Sequence, residues 1–194
     1  MKILIFIILS MPLLTFGTTY YVSTTGADTN PGTILQPFKN IQKLNSVMVS
    51  GDVAYIRAGT YQSTYGPDSY THLLLQGLTN VVIQNYPGEV VIMDFTSVGY
   101  PTVCQVFAVY IENCSYLTLK GITFRNLKQI ANGCNISYGV HLLNSNNCRM
   151  ENLDIYNFMG TGFSLDNSND NLILNVDSHH NGDALSDGGA DAWD

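Results

Sequence analysis

The octapeptides Tyr138-Gly-Val-His-Leu-Leu-Asn-Ser and Thr161-Gly-Phe-Ser-Leu-Asp-Asn-Ser superpose at an offset of 23 residues. The same offset lays Met150 over Ile173, Leu153 over Val176 and Ile155 over Ser178. A step of 31 fits Ala108-Val-Tyr-Ile-Glu-Asn-Cys to this frame, with Leu119 over Met150, Ile122 over Leu153, Phe124 over Ile155 and the surplus residues falling within 128–137. A step of 36 then sets Leu75 over Ile111 and Ile83 over Leu119, its surplus in 93–102. A unit this short, built as strand, turn, strand, turn, cannot bury its apolar face alone. It must stack on copies of itself, which makes the chain a solenoid.

Two apolar columns follow from the offsets: Val109, Val140 and Phe163, and Leu75, Ile111, Leu142 and Leu165. Each column is expected to bury against itself. Asn113, Asn144 and Asn167 form a third column at a turn, where asparagine tolerates left-handed backbone and its amide can bond the neighbouring coil. The fold class expected is all-β: a right-handed parallel β-helix with a short N-terminal capping helix. Tyr20 to Val22 begin the first strand, and Phe38, Ile41, Leu44 and Val47 or Met48, at spacings of three and four, predict an amphipathic helix over 37–49. The domain runs over 18–194, truncated at its C-terminal end, where an uncapped coil predicts poor solubility.

Charge and composition narrow the partners. Charged residues make up 12% of the chain, about half the usual ~25%, against a coiled coil or a charge-rich disordered tail. With 8 Lys and Arg against 15 Asp and Glu, and no basic cluster, the chain offers nothing to neutralise nucleic-acid phosphate. Lys2, the apolar run from Ile3 to Leu14 and the small residues at 15–17 read as a secretory signal peptide over 1–17. That run is too short to span a bilayer, which takes roughly 20 apolar residues, so the mature chain is expected outside the membrane, exported and monomeric. Cys104, Cys114, Cys134 and Cys148 permit up to two disulfides in any of three pairings, while Cys148 reads equally as a small apolar core residue. Without a CxxC pair, a zinc site on these thiols is not expected.

Thr19-Tyr-Tyr-Val-Ser-Thr-Thr-Gly-Ala-Asp-Thr-Asn-Pro-Gly-Thr, Gln36-Pro-Phe-Lys-Asn-Ile-Gln-Lys and Gly51-Asp-Val-Ala-Tyr-Ile-Arg-Ala-Gly-Thr-Tyr resemble the opening of secreted bacterial β-helix carbohydrate-active proteins. Asn175-Val-Asp-Ser-His-His-Asn-Gly-Asp followed by Gly188-Gly-Ala-Asp-Ala-Trp-Asp is similar to the segment of family 9 pectate lyases that ends Asn-Ala-Asp-Gly-Phe. Asp191 matches its aspartate, with Ala190 in place and Gly189, Ala192 and Trp193 replacing its Asn, Gly and Phe. Asp194 matches nothing there, and Ala190-Asp-Ala-Trp-Asp also resembles the Asp-Asp-Gly-Trp-Asp of the family's next coil. The resemblance implies a Ca2+ site built from aspartates on adjacent coils and a catalytic lysine on a later coil, beyond residue 194.

The residues support part of that chemistry. From position 151 on there are nine acidic residues and no Lys or Arg. Such a stretch repels itself unless a cation intervenes, and calcium takes six to eight oxygens. The candidate metal ligands are Asp191, Asp194, Asp177, Asp183 and Asp187; Trp193 and Arg149 are candidate substrate contacts. His179 and His180 are set aside as a metal pair, since neighbours on a strand face opposite sides. The expected activity is calcium-assisted β-elimination on an acidic uronate polysaccharide, in which the cation acidifies the C5 proton and a base removes it. Two alternatives stand beside it. One is a glycoside hydrolase using paired carboxylates, and the other a non-catalytic sugar-binding module stacking Tyr110, Tyr138, Tyr156 and Trp193 on its ligand.

Overall fold

The computed structural model describes residues 17–66, 68–103, 105–128 and 136–182. The strands are β1 Thr19–Val22, β2 Val53–Ile56, β3 Gly59–Gln62, β4 Thr71–Gln76, β5 Val82–Asn85, β6 Val91–Asp94 and β7 Gln105–Glu112, followed by β8 Thr118–Lys120, β9 Ile122–Arg125, β10 Ile136–Leu143, β11 Arg149–Tyr156, β12 Gly160–Asp166 and β13 Leu172–His179. Every pairing is parallel. One sheet carries two ladders, β1-β2-β5-β8 and β3-β6-β9, which merge at β11 and continue to β13. A second sheet is ordered β4-β7-β10-β12. Parallel neighbours far apart in sequence, joined by an excursion through the other sheet, are the coils of a right-handed β-helix. Among the described residues no helix is long and apolar enough to cross a membrane.

The registers agree with the sequence offsets. Met150 pairs with Ile173 and with Leu119, Leu75 with Ile111, and Val140 with both Val109 and Phe163. The turn asparagines Asn113, Asn144 and Asn167 have φ of 53°, 49° and 46°, the left-handed conformation in which asparagine is several-fold enriched. Within this column Asn167 Nδ2 donates to Asn144 Oδ1. A second left-handed column, Gly121, Asn152 and Asn175, bends the first sheet between its two ladders, with Asn175 Nδ2 donating to Asn152 Oδ1 at 2.8 Å. The four-residue Leu column is buried only over Leu75, Ile111 and Leu142. Leu165 is 40% exposed, because no described strand lies beyond β12.

The second sheet departs from simple alternation. In β7, Val106, Ala108, Val109 and Ile111 are all buried, so the inward phase slips by one residue at 108–109. The slip recurs in β10 at Gly139 and Val140, and in β12 at Gly162 and Phe163. Within its inner column, Ala108, Gly139 and Gly162, the two glycines have no room for a side chain: a Cβ on Gly139 would overlap the Gly162 carbonyl oxygen. At the N-terminal end of this column stands His72, buried, its Nδ1 2.9 Å from Ser63 Oγ.

The predicted capping helix is shorter and tighter than the pattern suggested. It is a 3₁₀ helix over Ile41–Ser46, and Phe38 instead bridges Val22 in extended backbone. Positions 38, 41, 44 and 47 are spaced by three throughout, which matches three residues per 3₁₀ turn. Phe38, Ile41, Leu44 and Met48 plug the core. Gln42 and Asn45 close the β4 edge: Leu74 N donates to Gln42 Oε1 at 2.8 Å, Gln42 Nε2 to Leu74 O at 3.1 Å, and Gln76 N to Asn45 Oδ1 at 2.7 Å. Side-chain amides thus satisfy a strand edge that would otherwise template aggregation. Cys114 and Cys148 are buried free thiols, in keeping with the core reading of Cys148; Cys104 and Cys134 lie outside the described residues, as do residues 1–16 of the signal segment.

Phe124 is fully buried and registers between Met93 and Ile155 on the coils either side. Phe124→Ala is expected to lower the unfolding free energy by about 3–5 kcal/mol, and the outward Thr123→Ala by less than about 0.5 kcal/mol, in urea titrations. Burial pushes the His72 imidazole from 6.5 down to about 4. A depressed folded-state pKa means stability that is present above 6.5 and lost as pH falls toward about 4. The slope of unfolding free energy against pH in that window is expected to flatten in His72→Gln.

Candidate functional site

Of the sequence-derived metal candidates, Asp183, Asp187, Asp191 and Asp194 lie outside the described residues, as does Trp193. Asp177 and Arg149 are described, and the fold separates them. Arg149 opens β11 beside Leu172, and its Nε donates to Glu151 Oε2 at 2.5 Å. Glu151 also takes Lys120 Nζ from the previous coil at 2.8 Å, and these two contacts, Lys120 foremost, hold its carboxyl below the usual range. The guanidinium is therefore engaged at the far end of the strand from Asp177.

Asp177 is joined by two residues from the same sheet face. It sits directly opposite Asp154 of the preceding coil, while His179, two positions further along β13, presents Nε2 at 3.1 Å from Asp154 Oδ1. One ligand atom from each of the three lies within 4.8 Å of the others. The ring of Tyr156 stacks on His179 with centroids 5.1 Å apart and planes 14° apart, and Arg125 Nη1 donates to the Tyr156 hydroxyl at 3.1 Å. Arg125 is itself bound through Nε to Asp94 Oδ2 at 2.8 Å. Among the described residues no lysine or arginine is ion-paired with Asp154 or Asp177. The two carboxylates are a like-charge pair directly opposed across neighbouring strands, with His179 as the basic partner of Asp154.

Sequence reasoning named Asp177 but not its partners. It weighed His179 only against its neighbour His180 and expected the two to face apart, whereas His180, just past the end of β13 with φ of 52°, turns its ring onto His179 with centroids 4.8 Å apart. The signal lay elsewhere: Asp177 and His179 are two residues apart and share a face, and the 23-residue offset already sets Asp154 against Asp177.

The outer face of the second sheet has a different character. The phase slip turns residues three apart to the same side, so Phe107 and Tyr110 both point outward, as do Tyr138 and His141. Phe107 stacks on Tyr110 at 4.6 Å and on Tyr138 at 4.9 Å, and Tyr110 on His141 at 5.5 Å. His141 Nδ1 lies 2.7 Å from Ser164 Oγ on the next coil. Burial lowers the His141 pKa against a smaller opposing pull from Asp166, and raises that of Tyr110. The uncharged imidazole and the rings form a ladder across β7 and β10 that presents phenol hydroxyls and aromatic surface. Of the aromatics proposed from sequence, Tyr110 and Tyr138 come together here, whereas Tyr156 belongs to the other sheet and packs on His179.

Residues 20–193 match the family model described as Pel9A-like, right handed beta helix region. Among solved structures the fold is similar to the crystal structure of pectate lyase Pel9A, with a TM-score of 0.66 and 15% identity over 86% of this chain and 40% of that one. It is also similar to a rhamnogalacturonan lyase, with a TM-score of 0.51 and 21% identity over 91% of this chain and 60% of that one. The chain therefore spans two fifths of the length of the first structure and three fifths of the second. No curated protein matches the sequence.

Proposed function

Since the chain belongs to the Pel9A-like right-handed β-helix family, we propose that it serves in a secreted polysaccharide lyase acting on an acidic uronate polymer by calcium-assisted β-elimination. The observation that carries this reading is the family match along residues 20–193. The likeness to a pectate lyase and a rhamnogalacturonan lyase supports it at the level of fold. Export rests on Lys2 and the apolar run that follows it.

β-Elimination takes the proton from uronate C5, breaks the C4–O4 glycosidic bond and leaves an unsaturated sugar, so it needs a base beside an acidified carbon. Calcium bound to the uronate carboxylate supplies the charge delocalisation that acidifies that proton. Asp183, Asp187, Asp191 and Asp194 are its proposed ligands, on the strength of their sequence alone. Asp177 is assigned elsewhere, because the set it shares with Asp154 and His179 includes an imidazole, and calcium selects oxygen donors. The outward rings and hydroxyls of Tyr110 and Tyr138, with Trp193, are the proposed sugar contacts.

The base is not found among the basic residues described. Arg57, Lys120, Arg125 and Arg149 are each held by a carboxylate, and Lys128 lies 4.5 Å over the Tyr100 ring. Lys39 and Lys43 belong to the N-terminal cap region, distant in the coil order from the acidic stretch. The resemblance to family 9 pectate lyases implies a lysine on a later coil in that role.

The test incubates a chain extended through further coils with polygalacturonate and with rhamnogalacturonan, with calcium and then with chelator. Ultraviolet absorbance from the unsaturated product is expected, abolished by chelator and by Asp191→Ala. New reducing ends without that absorbance would replace the lyase with a hydrolase, and polymer binding without any cleavage would make this a binding module.

A further inference from the structure

We propose that Asp154, Asp177 and His179 form a site for a divalent transition metal of the zinc class, separate from the calcium expected of the acidic segment that follows. The donor set decides the metal class. Two carboxylate oxygens and one imidazole nitrogen suit zinc and its neighbours, whereas calcium and magnesium prefer oxygen throughout. Metal–ligand bonds of about 2.0–2.2 Å in a tetrahedral site hold ligand atoms roughly 3.4 Å apart. The 3.1 Å between His179 Nε2 and Asp154 Oδ1, and the 4.8 Å envelope enclosing all three ligand atoms, are within a side-chain adjustment of that spacing.

Three features beyond proximity favour an ion. First, the parallel register fixes Asp154 and Asp177 as direct neighbours on adjacent coils, a like-charge opposition that a cation between them would relieve, while His179 Nε2 meets the Asp154 side of it. Second, the cation that could have supplied it is used elsewhere: Arg125, two residues from the position that pairs with Asp154, is taken by Asp94 and the Tyr156 hydroxyl. Third, the imidazole is oriented. Tyr156 stacks on its face, and its Nδ1 meets His180 Nδ1, which leaves Nε2 aimed at the carboxylates. With Nε2 on the metal, His179 Nδ1 keeps its proton and donates it to His180, the outer hydrogen bond that metal-bound histidines normally make. Three protein ligands on an outer sheet face leave the fourth position to water.

The site makes two predictions of opposite sign for one substitution. Asp154→Asn removes both a ligand and the like-charge contact. The metal-free variant should melt at or above the temperature of the metal-free parent, yet lose the rise in melting temperature that zinc gives the parent. A purely structural role for Asp154 as the partner of His179 would instead lower the metal-free melting temperature.

The experiment uses the whole chain. Zinc binding is followed by calorimetry, and cobalt(II) substitution by the visible bands of a low-coordinate site. One equivalent is expected to bind, with affinity falling at least about tenfold in each of Asp154→Asn, Asp177→Asn and His179→Gln, since one ligand is lost in each. The fourfold variant with Asn at Asp183, Asp187, Asp191 and Asp194 should bind zinc as the parent does, and excess calcium should not displace it. The proposal is overturned if zinc does not bind, if the fourfold variant abolishes binding while Asp154→Asn does not, or if calcium competes on equal terms. None of these results depends on polysaccharide cleavage, so the site can fail while the lyase reading stands, and the reverse.

Discussion

The fold depends on one constraint: each coil must set its apolar side chains directly upon those of the coil before it. A coil of some twenty residues has no interior of its own, so side-chain burial and backbone hydrogen bonding come from the same neighbours. Parallel register enforces both at once. Where Val109 lies under Val140 and Val140 under Phe163, the amides of β7, β10 and β12 are paired by the same alignment. A register slip of one residue would expose the whole inner column and turn the outer residues inward. The turns reinforce this register at the corners, where left-handed residues recur at matching positions and Asn144 bonds Asn167 and Asn152 bonds Asn175 across coils.

Much of this was legible in the sequence because stacking like on like leaves a repeat. The offsets of 23, 31 and 36 residues are the registers of β11 with β13, of β8 with β11 and of β4 with β7. The corner of Asn113, Asn144 and Asn167 could be read for the same reason. The column of Gly121, Asn152 and Asn175 was hidden, because a glycine stands where the other coils carry asparagine. The N-terminal helix is legible in the sequence as an element near 37–49 but not in its type or extent, since a spacing of three fits the 3₁₀ turn of Ile41–Ser46 as well as it fits 3.6 residues per turn. Leu165, expected inside, is exposed because it is the last described member of its column.

The functional residues were less legible, and for a physical reason. Sites on a solenoid are assembled across coils, so their members are separated by a coil length and only the register brings them together. Asp154 and His179 are 25 residues apart yet in contact. Alternation along a single strand, applied to His179 and His180, fails because β13 ends at His179 and the left-handed His180 turns back onto it, and it overlooks the lateral partner Asp154. The two sheet faces also divide the chemistry. The first sheet carries the ionic network of Asp94, Arg125, Tyr156, His179, Asp154 and Asp177, and the second an uncharged ladder of rings.

The phase slip in the second sheet links interior and exterior. Because Ala108, Gly139 and Gly162 admit the extra inward residue, Phe107 and Tyr110 can face out together, as can Tyr138 and His141. In a regularly alternating strand one member of each pair would be buried. The character of the outer wall is therefore written in residues that never touch solvent. A coil duplicated or grafted into another solenoid would carry its outward pair of rings only if its doubled inward pair, Ala108-Val109 in β7 or Gly139-Val140 in β10, travelled with it.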